Sequence, residues 1–235
     1  CNKKIGRNIK RMGMIIYFVI ILLLPLYAQF KVKGTYKKYD KVHGMNGYTG
    51  AEVARMILDR NGLRHVRIEE TPGVLSDHYD PSSKVVRLSS GNYHGTSLAG
   101  VAVAAHEVGH AIQDAEGYAY LRFRHALVPV ANWSSNLSWI FIMIGLFASL
   151  TNMLLLGIIL MAAGVLFQIV TLPVEFNASS RAMRLLTEYG LITSEEAPKS
   201  RKVLSAAAFT YVAGAMVAVA ELVRLLLIYV GQQED

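Results

Sequence analysis

Long stretches without charged side chains dominate the pattern of hydrophobic and polar positions along the chain. Residues 14–30, 125–174 and 203–220 contain no Lys, Arg, Asp or Glu. A helix needs about 20 apolar residues to cross the hydrocarbon core of a bilayer, so the second stretch is too long for one span. The pattern predicts a membrane anchor over 14–30, with a cleaved signal peptide as the alternative. It also predicts a helical hairpin over 133–172, with a turn formed by Ser149, Thr151 and Asn152. An apolar C-terminal helix either spans the membrane or packs along the rest of the protein.

The segments between these stretches have the pattern of a small domain in water. Residues 49–61 follow a helical pattern, with Thr49 as the N-cap and Glu52 at the spacing of a capping box. Short strands are predicted over 65–69 and 84–89, separated by residues typical of turns. The predicted fold class is therefore mainly α, with integral membrane helices and a small α+β region.

The amino-acid composition limits the kinds of metal site and of binding partner that the chain can have. Hydrophobic residues make up 53% of the chain, which favours a membrane protein. The single cysteine, Cys1, excludes a disulfide within the chain and a zinc site built from several cysteines. The net charge is +7, and basic residues flank the apolar stretches, so the lipid bilayer is the expected partner. No nucleic-acid-binding motif is present.

The first residues allow two interpretations. A chain that begins with Cys1 is compatible with a matured lipoprotein. Alternatively, translation starts near Met12 or Met14, which stand just before the first apolar stretch.

A five-residue motif carries the chemistry of the chain. His106-Glu107-Val108-Gly109-His110 lies in residues 97–115, which are rich in Ala and Val and predict a buried helix. Residues four apart share one helix face, so both imidazoles can reach one metal ion, and Glu107 can act as a general base beside it. The alternative is a helix with two ordinary histidines, but burying these polar groups without a shared purpose is costly.

A catalytic zinc site needs a third protein ligand and an open position for water. His78, His94, His125 and Glu175 are the candidates. Glu175 is preferred, because it is the first charged residue after 50 uncharged ones and a hairpin returns the chain to the same side of the membrane. It is expected to begin a helix over 175–189, and the alternative is that it only caps that helix.

Three segments make a resemblance to a known family specific. His106 to Tyr118 (HEVGHAIQDAEGY), Leu127 to Asn132 (LVPVAN) and Leu172 to Ala182 (LPVEFNASSRA) resemble the YugP-type family of neutral zinc membrane metallopeptidases. The resemblance extends from about Met14 onward. It implies an integral membrane protein with a gluzincin-type, zincin-like site, with zinc on His106 and His110 and with Glu107 as the base.

In related membrane peptidases an Asp four residues after the ligand Glu supports a ligand His. This chain has Ser179 at that position, so the support must differ. Asp114, four residues after His110, is one candidate, and the alternative is that it is an ordinary exposed carboxylate near the end of the helix. His78 and Tyr79 are expected in a turn, either solvated or lining a substrate cleft or stabilising an oxyanion. Arg181 is expected to pair with Glu188, and the alternative is that it holds a substrate carboxylate.

The sequence divides into six segments on this interpretation: a basic extension (1–13), a membrane anchor (14–30), a catalytic region (31–132), a transmembrane hairpin (133–172), a third-ligand helix region (173–202) and a C-terminal apolar helix (203–235).

The predicted function is a membrane-embedded zinc-dependent endopeptidase that acts on a peptide or protein substrate. A catalytically silent zinc-binding membrane protein with a binding or chaperone-like role is the alternative. A transporter is disfavoured, because the uncharged hairpin holds few polar residues. Residues 31–132 and 173–202 contain 18 of the 24 Lys and Arg residues, which favours an active site that faces the cytoplasm. The expected location is the plasma membrane of a bacterium.

Overall fold

The computed structural model describes residues 12–233, so residues 1–11 of the expected basic extension lie outside it. The described chain forms two compact units. One comprises residues 12–29, 123–171 and 210–233, and the other comprises residues 30–122 and 172–209.

The first helix, α1, extends over Met12–Tyr39. It contains the predicted anchor but continues into the basic residues that follow it. A π-helical turn over Val19–Leu23 precedes Pro25, and the backbone N–H of Leu24 donates to the carbonyl of Val19. Proline has no N–H and its ring clashes with the carbonyl four residues earlier, so a wider turn before Pro25 lets the helix continue.

The predicted hairpin consists of α5 over Ala119–Phe147 and α6 over Thr151–Glu188. The chain turns at residues 148–150, which includes Ser149 of the predicted turn, whereas Thr151 and Asn152 already belong to α6. A side chain at Gly145 would place its Cβ 2.4 Å from the backbone nitrogen of Leu154, so glycine permits the close approach of the two helices beside the turn.

Both hairpin helices are longer than the sequence predicted. Helix α6 continues through Pro173 to Glu188. The expectation that Glu175 begins or caps a separate helix is therefore wrong, because it lies inside α6. Proline within a membrane helix is tolerated where neighbouring groups compensate for the missing hydrogen bond.

The last helix, α7, extends over Ala197–Gly231 and begins before the predicted apolar stretch. Together with α1, α5 and α6 it is long and apolar enough to cross a membrane. Large apolar side chains on these helices are exposed, among them Trp133, Phe147 and Leu227. Exposed apolar surface of this extent is typical of helices that contact lipid.

The remaining elements form a small α+β region. Helix α2 extends over Gly50–Arg60, α3 over Ser90–His94 and α4 over Leu98–Ala115. The three strands are β1 (Arg67–Thr71), β2 (His78–Asp80) and β3 (Val85–Ser89). Strand β3 is central, parallel to β1 and antiparallel to β2.

Two of the three strands were predicted and one was not. Strands β1 and β3 match the predictions with small shifts of their ends. His78 and Tyr79, expected in a turn, belong to β2. Three residues are too few for an alternating pattern to be recognised in the sequence.

The core of this region lies between α2, α4 and the sheet. Val53, Ile57 and Leu58 of α2 are completely buried, as are Val86 and Leu88 of β3, and all belong to one apolar cluster. Burial of each such side chain stabilises the fold by roughly 1.5–3 kcal/mol.

The capping box that begins α2 is confirmed. The Thr49 side chain accepts from the backbone N–H of Glu52, and the Glu52 carboxylate accepts from the backbone N–H of Thr49. The observed fold is mainly α with a small α+β region, as predicted.

Candidate metal centre

Helix α4 carries the motif of two histidines and a glutamate. Ser97 caps its N-terminus by accepting from the backbone N–H of Gly100. His106 and His110 lie on the same face one turn apart, with ring centroids 4.8 Å apart. Their side chains are 13% and 11% exposed, so both imidazoles are largely removed from solvent.

Glu175 of α6 completes the cluster and is itself only 2% exposed. Its Oε2 atom lies 3.2 Å from Nε2 of His106 and 3.5 Å from Nε2 of His110. One ligand atom from each of the three residues lies within 4.8 Å of the other two. The structure therefore brings together the three residues that the sequence selected as metal ligands.

The spacing of these atoms fits a zinc ion. Zinc lies about 2.0–2.1 Å from a histidine nitrogen and about 2.0–2.2 Å from a carboxylate oxygen, so neighbouring ligand atoms of a tetrahedral site are roughly 3.3–3.5 Å apart. The two distances to Glu175 Oε2, 3.2 and 3.5 Å, are close to this spacing, and the ligand atoms of the two histidines lie within 4.8 Å of each other. A set of two imidazoles and one carboxylate is also a common donor set of catalytic zinc sites.

The tautomer of His110 is set by Gln113, which is completely buried. The Gln113 Nε2 atom donates to the backbone carbonyl of Val174 at 2.9 Å. A carbonyl can only accept, so this contact fixes the orientation of the amide. The Oε1 atom of Gln113 then accepts from Nδ1 of His110 at 3.0 Å, so Nε2, which faces Glu175, is the nitrogen available as the metal ligand.

Ser179 holds the other histidine. Its Oγ atom lies 3.2 Å from Nδ1 of His106, while Nε2 of the same ring is the atom near Glu175. The support for His106 therefore differs from an Asp, as expected, but it comes from Ser179 itself. Ser179 thus contacts the imidazole of His106 with a neutral oxygen.

Asp114 has other partners in the structure. It accepts from the hydroxyl of Tyr79 at 2.7 Å and from the ammonium of Lys84 at 2.6 Å. Burial and the hydrogen bond to Asp114 raise the pKa of Tyr79 above its usual range. Gln113 and Ser179, and not Asp114, are the residues at Nδ1 of the two histidines.

A polar network extends from Gln113 between α4 and α6. The Nε2 atom of Gln113 also donates to Oδ1 of Asn177, which accepts from Nε of Arg181. The guanidinium of Arg181 pairs with Glu116 at 2.7 Å, and its hydrogen bond and charge lower the pKa of that carboxyl against the opposing effect of burial. The predicted pair with Glu188 is wrong, because Arg184 occupies that role at 3.7 Å.

Gly109 sets the distance between the two ligand-bearing helices. A Cβ at this position would lie 2.8 Å from the carbonyl oxygen of Ala178 and 3.2 Å from its Cα. These are backbone atoms of α6 and cannot move aside as a flexible side chain would. Glycine within the motif therefore permits the approach that brings Glu175 to the histidines.

Glu107 is partly exposed beside the cluster. Burial lowers the pKa of His110, but its hydrogen bond to Glu175 and the charges of Glu107 and Glu175 outweigh burial and raise that pKa above the ordinary value. The carboxylate of Glu107 is thus close enough to act electrostatically on a ligand histidine without belonging to the ligand group.

The other histidines considered as ligands do not join the group formed by residues 12–233. His78 contacts the carbonyl of Ser76 and the guanidinium of Arg87. His94 is exposed and lies 3.2 Å from Glu70. His125 belongs to α5, and the metal-binding group found in the described chain contains only His106, His110 and Glu175.

Comparisons with known proteins identify the family to which the chain belongs. Residues 14–230 match the family described as "Putative neutral zinc metallopeptidase". The chain belongs to this family. It is also 47% identical over 224 residues to the "Putative membrane protease YugP" of Bacillus subtilis (strain 168), which covers 94% of this chain and 100% of that protein. No solved structure matches the chain.

Membership of this zinc metallopeptidase family confirms the resemblance drawn from the motifs. It also agrees with the cofactor predicted from the sequence, because the structure contains a His–His–Glu group that could hold a metal ion. The four apolar helices and the membrane protease among its relatives identify an integral membrane protein.

Proposed function

We propose that the chain is a membrane-embedded zinc endopeptidase in which His106, His110 and Glu175 hold the zinc and Glu107 is the general base. The observation that carries this proposal is the convergence of three donor atoms within 4.8 Å on two packed helices. The relative named as a membrane protease supports a peptide or protein substrate.

The chain's own residues supply the positioning and the proton transfer. Bound zinc would supply Lewis acidity, which polarises a peptide carbonyl and acidifies water. Glu107 follows His106 by one residue, so its carboxylate is beside the metal position and can accept a proton from the attacking water. The same carboxyl then passes that proton to the leaving amine. Gln113 and Ser179 hold the two imidazoles at Nδ1 throughout.

The number of ligands favours a catalytic over a structural role. A structural zinc usually has four protein ligands, whereas a catalytic zinc has three and an open position. Among residues 12–233, three side chains form the metal-binding group. This argues against a zinc-binding protein without catalytic activity.

We further propose that the active site faces the cytoplasm of a bacterial cell. Residues 31–132 and 173–202 hold 18 of the 24 Lys and Arg residues, and basic residues near membrane helices accumulate on the cytoplasmic side. These ranges contain the metal-binding group.

The direct test compares wild type with Glu107→Gln, both purified in detergent. The substitution keeps the size of the side chain but removes a base able to accept the proton. We expect both proteins to bind one zinc per chain and only wild type to cleave an unfolded protein such as casein. The loss of activity is expected to be about 100-fold or more, since a general base contributes roughly 100- to 10,000-fold.

Two outcomes would contradict the proposal. Cleavage by Glu107→Gln at the wild-type rate would show that Glu107 is not the general base. Wild-type protein that contains no zinc under metal-replete conditions would show that the three residues do not form a zinc site. Zinc in both proteins with no cleavage of a broad substrate panel would favour the binding-protein alternative.

A further inference from the structure

A groove lined by basic residues lies between the C-terminal part of α1 and the N-terminal part of α7. Its volume is about 720 Å³, within the range of roughly 300–1,000 Å³ found for ligand sites. Its walls come from the last turns of α1, the first turns of α7 and the loop that precedes α7. All of these residues belong to one compact unit, the unit of residues 30–122 and 172–209.

The charges in the groove have one sign. Lys31 and Lys38 come from α1, and Arg201 and Lys202 come from α7. No Asp or Glu is among the eleven residues that line the groove. The hydroxyls of three further lining residues supply neutral hydrogen-bond donors, namely Thr35, Ser194 and Ser205. Four cations with hydroxyl groups between them form a surface suited to a phosphate group.

The groove lies at the boundary between charged and apolar sequence on both helices. Lys31 is the first charged residue after the uncharged stretch 14–30 of α1, and Lys202 is the last before the uncharged stretch 203–220 of α7. The ammonium of Lys31 lies 4.6 Å from the ring centre of Phe209, inside that stretch. Basic side chains at this level of a membrane helix meet the lipid headgroups.

Exposed apolar side chains precede the groove residue Lys31 on α1, among them Leu26 and Tyr27. Phe30, which precedes Lys31, is 75% exposed. An acyl chain that extends from a phosphate in the groove would meet such side chains along the uncharged part of α1. An acidic peptide would gain nothing from them, and this favours a lipid as the occupant.

We propose that this groove binds the phosphate headgroup of an anionic membrane lipid. The site is distinct from the metal centre, and the proposal does not depend on peptidase activity.

The experiment measures lipid binding to the full chain purified in neutral detergent, with phosphatidylglycerol and phosphatidylcholine as probes in native mass spectrometry. The groove variant is Lys38→Gln/Arg201→Gln. The control is Lys33→Gln/Lys37→Gln, which removes two exposed charges from α1 that do not line the groove. A charge-retaining variant, Lys38→Arg/Arg201→Lys, tests whether the groove itself survives substitution.

Wild type is expected to retain phosphatidylglycerol and to release phosphatidylcholine. The groove variant is expected to bind phosphatidylglycerol roughly 30-fold more weakly, since each cation near an anionic surface contributes about fivefold. The control and the charge-retaining variants are expected to stay within about threefold of wild type.

Four results would overturn the proposal. These are equal binding of the two lipids, equal losses in the groove and control variants, a loss in the charge-retaining variant as large as in the groove variant, or displacement of phosphatidylglycerol by equimolar inorganic phosphate. If wild type binds poly-glutamate but not phosphatidylglycerol, and the groove variant does not bind poly-glutamate, the occupant of the groove is an acidic peptide and not a lipid.

Discussion

At the scale of single residues, the metal centre depends on the protons at Nδ1 of its two histidines. Gln113 and Ser179 accept or share those protons, and they are the partners that orient the two rings. Residues that hold a ligand histidine in this way change metal affinity by about 10- to 100-fold when they are replaced.

Replacing Gln113 by Leu is expected to weaken zinc binding by about 10- to 100-fold, because His110 loses its acceptor and its fixed tautomer. Gln113→Glu is the matched control, since its carboxylate can still accept from Nδ1. Its zinc dissociation constant, measured by competition with a chelator, is expected to lie closer to that of wild type. Equal zinc dissociation constants for both variants would contradict the role assigned to the Oε1 atom.

The sequence identified the residues with a motif and missed those without one. The spacing of His106, Glu107 and His110 is a local property of one helix, so it is visible in the sequence. Gln113 reaches Val174 and Asn177, which are 61 and 64 residues away. Such contacts depend on which faces of α4 and α6 meet, and that is decided by tertiary packing.

At the scale of elements, the packing of α4 on α6 places the third ligand. The two helices approach closely at Gly109, where a Cβ would lie 2.8 Å from the Ala178 carbonyl oxygen. A shift of α6 away from α4 would also move Glu175, which lies one turn before Ala178.

Gly109→Ala is therefore expected to lower zinc affinity, because the added methyl group pushes the two ligand helices apart. Gly34→Ala in α1 is the control, since a Cβ there has open space and alanine favours a helix by up to about 1 kcal/mol. Zinc affinity and thermal unfolding in detergent are the measurements. An unchanged zinc affinity in Gly109→Ala would show that the helices tolerate the methyl group without moving Glu175.

The elements themselves were predicted unevenly. The uncharged stretches gave the four long helices, because length and apolarity are local properties. The sequence predicts a hairpin that ends at residue 172 and a new helix that begins at Glu175, yet α6 continues through Pro173 and Glu175. A proline is compatible with a membrane helix when the surrounding structure supports it, and the sequence does not contain that information.

At the scale of the whole molecule, the hairpin and the distribution of charge predict the topology. The 50 uncharged residues 125–174 cover a pair of membrane helices, so the turn at 148–150 is expected on the opposite side from the basic segments. The division of the chain into six segments also rests on the positions of the uncharged stretches and remains a prediction.

Cysteine labelling tests this topology in a Cys1→Ser background. Ser82→Cys, between β2 and β3, is expected to react with a membrane-impermeant maleimide only after the cells are opened. Leu150→Cys, in the hairpin turn, is expected to react in intact cells. The reverse labelling would place the active site outside the cytoplasm, and labelling of both positions from one side would exclude the hairpin as a pair of spans.

The central claim is that one zinc ion is held by His106, His110 and Glu175. The most direct measurement is the zinc affinity of wild type, Glu175→Gln and Glu116→Gln in detergent. Glu116 is the matched control, because its exposed carboxylate pairs with Arg181 and lies outside the ligand group. We expect one zinc per chain in wild type and in Glu116→Gln. In Glu175→Gln we expect zinc affinity to fall by more than the roughly 100-fold that is typical when a residue that only orients a ligand is replaced. Wild-type affinity in Glu175→Gln would contradict the account.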